Sequence, residues 1–158
     1  MVFLKSVNLS TERSTPDTSP IPQDRDQIEI RLREFFAERA AERGLVTAYL
    51  FGSVARGTAH PGSDVDVGVL FAKAPPRTLE GLHLDLEGEL EQILDGLPVQ
   101  LVVLNRASPE LVHFVLVDGR LLLDRDPAKR IEFEVRSRNE YFDILPILRR
   151  YRGQEATR

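Results

Sequence analysis

Two apolar runs, Leu45–Phe51 (LVTAYLF) and Val65–Phe71 (VDVGVLF), flank the stretch G-S-V-A-R-G-T-A-H-P-G-S-D and constrain the chain more than any other feature. Both are rich in β-branched and aromatic residues and read as strands. Whatever chemistry the intervening stretch carries therefore sits on a sheet. Its glycines, Gly52 and Gly57, allow a tight turn and a close backbone approach to a ligand. That turn exposes N–H groups and the Ser53 hydroxyl to phosphate oxygens, and Arg56 adds a guanidinium for charge-assisted bonds.

Ser63-Asp64-Val65-Asp66 follows, opening the second strand. Residues two apart on a strand point the same way, so Asp64 and Asp66 share a face. Two adjacent carboxylates repel, and a cation is what makes such a pair tolerable. Mg²⁺ suits it, or Mn²⁺ in its place, because hard ions take oxygen ligands and are shared between one or two carboxylates and substrate phosphates. A lone D-x-D also fits a solvated loop end, and a lone G-S turn is usually only a turn. The ordered combination of strand, G-S-x-x-x-G, S-D-x-D and strand points to a nucleoside triphosphate site.

GSVARGTAHPGSDVDVGVL resembles the signature of the minimal nucleotidyltransferase branch of the DNA polymerase beta-like nucleotidyltransferases. The likeness extends from about Leu45 to Leu123, through PVQLVVLNRASPELVHFVLVDGRLLLDRD. It implies an α/β (α+β) fold, a mixed sheet flanked by helices with a long C-terminal helix. It also implies transfer of AMP from ATP to a hydroxyl with Mg²⁺, with Gly52, Ser53, Arg56, Gly57 and Ser63 on the nucleotide and Asp64 and Asp66 on the metal. Small members resemble antitoxins that adenylylate a tyrosine of a HEPN ribonuclease toxin. Where the family carries a third carboxylate, in a context like V-D-L-V, this chain reads Val99-Gln100-Leu101-Val102. Gln100 is neutral and cannot serve as a base near pH 7. An impaired enzyme, an inactivating substitution and a carboxylate supplied from elsewhere all fit. Three functions follow: a tyrosine-directed adenylyltransferase antitoxin, a catalytically silent antitoxin that acts by binding, and a small-molecule (aminoglycoside) adenylyltransferase. The last is disfavoured because no second domain is available to enclose its substrate.

With 158 residues, the chain suits one core. It carries 21 Lys and Arg against 25 Asp and Glu, a net charge of −4 that argues against broad nucleic-acid affinity. Cysteine is absent, which excludes disulfides and thiolate metal sites. No apolar run suits a bilayer span or a signal peptide, so no membrane association and a cytoplasmic location are expected. Residues 1–23, rich in Ser, Thr and Pro, read as a disordered tail; 24–152 as the single nucleotidyltransferase domain; and 153–158 as a flexible end.

Ile28, Leu32, Phe35 and Phe36 mark a helix from about Asp24 to Arg43, with Gly44 at its C-cap. Leu79, Leu82, Leu86, Leu90, Ile93 and Leu94 mark a second, interrupted by Gly81 and Gly88. His83 on it reads as a packing residue and His60 as a loop residue. Ser108-Pro109 opens a third helix, which runs to about Val117, before the apolar Leu121–Leu123. A long last helix carries an Ile131, Val135, Phe142, Leu145 stripe that Pro146 ends or kinks. Its Arg130, Arg136, Arg138, Arg149, Arg150 and Arg152, interleaved with Tyr141 and Tyr151, suit a solvated face or a docking surface.

Overall fold

The computed structural model describes residues 24–76 and 80–155, apart from the side chains of 80–84 and 154–155. The 1–23 segment, Leu79, the His83 and Leu82 side chains and residues 156–158 lie outside the described residues. The elements run α1 (Arg25–Arg39), β1 (Leu45–Phe51), α2 (Gly52–Arg56), β2 (Val65–Phe71), α3 (Glu80–Ile93), β3 (Val99–Val103), α4 (Pro109–Asp118), β4 (Arg120–Asp124) and α5 (Pro127–Glu155). The strands form one mixed sheet in the order β3-β2-β1-β4. β1 is antiparallel to both β2 and β4, while β2 and β3 are parallel across the α3 connection. This is the α/β architecture read from the sequence.

Alternation along β2 divides the core into two layers. Val65, Val67, Val69 and Phe71 face a layer that holds Ile28, Leu32 and Phe36 of α1 and Leu86 and Leu90 of α3. Leu70 faces the other layer with Tyr49, Val112, Val115 and Phe133, beneath α4 and α5. Each fully buried Leu or Phe contributes about 1.5–3 kcal/mol, so apolar burial holds helices against both faces of the sheet. Gly68 lets the sheet approach α4 closely: a Cβ there would meet Leu104 at 3.2 Å and Val115 at 3.4 Å.

Side chains complete what the strands leave unpaired. Asn105, in the 3-10 turn Leu104–Arg106, accepts from the Phe71 N–H and donates to the Phe71 carbonyl, both at 2.9 Å, extending the β2 ladder past the end of β3. From α3, the Glu91 carboxylate accepts the Val99 N–H at 3.2 Å and the Glu87 carboxylate accepts the Leu101 N–H at 2.8 Å. On the opposite side of the sheet order, buried Glu29 of α1 takes Arg33 at 2.7 Å and Arg120 of β4 at 2.5 Å.

The helices depart from the sequence reading in three places. α1 stops at Arg39, followed by turns up to Gly44, whose φ of +66° reverses the chain into β1. Pro146 lies inside α5 and does not end it; the helix continues through Glu155. On α5, Phe133 and Ser137 are buried, whereas Ile131, Val135 and Phe142 are 51%, 49% and 54% exposed. Arg130 is tied to Asp124 at 3.0 Å and Glu134 at 2.8 Å, and Glu134 also accepts the Tyr49 hydroxyl at 2.7 Å. Arg130 thus staples α5 to the sheet and is not a free surface charge.

Candidate active site

The G-S stretch is a short helix and not an open turn. Phe51 ends β1 in extended conformation, and Gly52, at φ +73°, turns the chain into α2. Gly57, also at φ +73°, closes α2, and Thr58 N–H reaches back to the Ser53 carbonyl at 2.9 Å. Both positions require a conformation that side chains disfavour. At Gly52 there is a second requirement. A methyl there would collide with Asp66 Oδ2 and lie 2.9 Å from Asp66 Cγ, so the carboxylate rests directly on the glycine.

After Gly57 the chain loops back. His60 N–H donates to Ser63 Oγ at 3.0 Å and Ser63 N–H to the His60 carbonyl at 2.9 Å. Ser63 is therefore a loop-closing residue whatever else its hydroxyl touches. His60 is exposed, with its ring against the Pro61 carbonyl at 3.0 Å. Asp64 is exposed just before β2, and Asp66, on the strand, is half-buried.

Register brings the third sequence element to the same place. Asp66 pairs with Phe51 on one side and with Gln100 on the other. Paired residues of parallel strands present their side chains to the same sheet face, so Gln100, which is exposed, stands beside Asp66. Among the described residues, no group of three or more His, Asp or Glu side chains is placed to hold one metal ion.

Electrostatics mark the pair as short of positive charge. Burial first, then the neighbouring Asp64, pushes the Asp66 carboxyl above its ordinary value of 3.8, while Arg56 pulls it back. Arg56 divides its charge, since its guanidinium lies 3.3 Å from Asp118 at the end of α4. A divalent cation would supply what Asp64 and Asp66 lack, and their all-oxygen donor set fits Mg²⁺. The unpaired N–H groups of the first turn of α2 begin at the glycine that carries Asp66. The structure therefore brings Gly52, Ser53, Asp66 and Gln100 to one end of the sheet, with Asp64 leading in and Arg56 and Gly57 closing α2. Asp118 escaped the sequence reading because nothing local links the end of α4 to α2.

Residues 33–128 match the family described as Polymerase beta, Nucleotidyltransferase. The chain belongs to that family. It is 40% identical over 75 residues to protein adenylyltransferase MntA of Shewanella oneidensis, over 47% of this chain and 50% of that protein. It thus spans about half the length of that curated relative. A crystal structure of a toxin–antitoxin with AMP-PNP superposes with a TM-score of 0.66 at 28% identity, covering 82% of this chain and 98% of that one. A mutant of the toxin–antitoxin MntA–HpeT superposes at 0.65 with 25% identity, covering 80% and 98%.

Proposed function

We propose that the chain is an antitoxin of the minimal nucleotidyltransferase type, whose site binds a nucleoside triphosphate with Mg²⁺ and transfers AMP to a tyrosine hydroxyl of a HEPN toxin. The observation that carries the reading is the Gly52–Asp66 contact at the strand ends, with Asp64 alongside. In the reaction the tyrosine oxygen forms a bond to the α-phosphorus, the bond from that phosphorus to the bridging oxygen breaks, and pyrophosphate leaves. Asp64 and Asp66 would hold the cation, which supplies charge stabilisation to the phosphates. Ser53, the N–H groups of α2 and Arg56 would orient the phosphate tail. Gln100 cannot take the acceptor proton, which goes to solvent, to a phosphate oxygen or to another carboxylate.

Gln100 favours a second reading, in which the chain binds its partner and nucleotide but turns over slowly or not at all. The two readings part in one assay. Labelled ATP is offered with the purified HEPN partner to wild type, Gln100→Asp, and Gln100→Asp with Asp66→Ala. If Gln100 stands at the third-carboxylate position, Gln100→Asp raises transfer by about 10²-fold and Asp66→Ala removes the gain. Equal, Asp66-dependent transfer by wild type and Gln100→Asp would refute the assignment of Gln100. Inactivity of all three folded variants selects the binding module.

A further inference from the structure

We infer that the partner docks on a surface aromatic cluster shared by α4 and α5, and that its docking face is apolar at its centre and acidic at its rim. The inference rests on the antitoxin reading and adds the surface to it. His113 of α4 stacks on Tyr141 of α5, ring centroids 3.7 Å apart and planes within 5°. Phe114 lies edge-on to His113 at 6.3 Å, and Phe142 edge-on to Tyr141 at 5.7 Å. Phe114 and Phe142 are 52% and 54% exposed, so the stack holds two large rings out in solvent. Val135, one heptad before Phe142 and half exposed, carries the apolar strip along α5.

Charge selects the occupant. Between residues 136 and 152 five arginines stand against Glu140, Asp143 and, from α4, Glu110, which Arg152 binds, a local excess of two positive charges on a chain whose net charge is −4. Arg138 and Arg149 fall on the helical stripe of Phe142. A second copy of this chain would bring the same arginines against themselves, whereas an apolar face ringed by carboxylates matches both features. Position gives the link to the site. The helix that bears Phe114 ends at Asp118, which Arg56 of the motif helix holds at 3.3 Å. A partner seated on the cluster is therefore seated beside the transfer site.

The test measures calorimetric affinity for a purified HEPN toxin protein, using the full chain. Phe114→Glu with Phe142→Glu weakens binding by about 30-fold or more, the effect of losing anchor residues. Arg138→Glu with Arg149→Glu weakens it and flattens its salt dependence. Both pairs leave Mg-ATP binding and circular dichroism unchanged. Ile30→Glu, exposed on α1 on the other side of the sheet, leaves partner affinity unchanged. Partner binding by wild type that survives Phe114→Glu/Phe142→Glu within about threefold overturns the surface while leaving the antitoxin reading intact. Failure of folded wild type to bind the HEPN protein overturns both. Self-association of the chain alone, abolished by Phe142→Glu, would assign the cluster to a second copy and overturn the inference.

Discussion

Gly52→Ala is the substitution whose cost the structure apportions most clearly. Two effects add at this position: a left-handed backbone at φ +73° and a collision between the new methyl and the Asp66 carboxylate. A residue with a Cβ in that conformation costs about 1–2 kcal/mol, and forcing a packed group aside costs about 1–3 kcal/mol. The sum is about 2–5 kcal/mol, and a loss near 3 kcal/mol lowers Tm by about 6–12 °C in a chain of this size. Gly44→Ala isolates the first effect, because Gly44 has φ +66° and a methyl added there would meet nothing within 4 Å. Asp66→Ala isolates the second, since it removes Cγ and Oδ2 and leaves only Cβ, at 3.2 Å. Urea denaturation of wild type, the three single variants and the Gly52→Ala/Asp66→Ala double variant, in chelator to exclude metal, closes the cycle. Gly52→Ala should cost more than Gly44→Ala, and Asp66→Ala should recover about 1–3 kcal/mol of the difference. Equal losses at Gly44 and Gly52, without recovery, would refute the claim that the carboxylate rests on the glycine.

Asp64→Ala/Asp66→Ala should abolish calorimetric binding of Mg-ATP, and equal binding by wild type and the double variant would remove the site assignment. Asp66→Asn should stabilise the metal-free protein near neutral pH. The raised Asp66 carboxyl contributes stability that is present below its ordinary 3.8 and is lost as pH rises through its folded value, so the gap between wild type and Asp66→Asn narrows on acidification. Denaturation curves across pH 3–8, compared pairwise, test that sign. Glu29 works in the opposite sense. Burial raises its carboxyl, but the hydrogen bonds from Arg120 and Arg33 outweigh burial and hold it below 4.5, so its contribution is present above 4.5 and lost as pH falls through the lowered value. Glu29→Gln should cost about 1–3 kcal/mol at neutral pH, nearer the lower end because the arginines are half exposed, and equilibrium unfolding measures it.

β1 and β2 were legible in the sequence because two uninterrupted apolar runs with β-branched residues leave a strand as the simplest reading. The placement of Gln100 beside Asp66 was legible only through family resemblance, since register between strands is set by α3 and the core beneath it, and not by a local pattern. Residues 52–56 look like a plain turn in the sequence because two flanking glycines suggest one, while the helix between them is closed by bonds from Gly57 and Thr58. On α5 the periodic apolar stripe drew attention away from Phe133 and Ser137. The face that packs is decided by Tyr49, Asp124 and the α4 helix, which lie far off in sequence. Pro146 removes one donor from a helix that continues past it to Glu155.

The two carboxylates of α3 that accept the Val99 and Leu101 N–H groups govern how this molecule can meet others. A sheet that ends in an open row of donors invites any extended chain to add itself as a further strand. Glu87 and Glu91 occupy those donors with groups that are also negatively charged, so an incoming backbone would have to displace a charged acceptor to gain a neutral one. Strand addition at β3 is thereby discouraged.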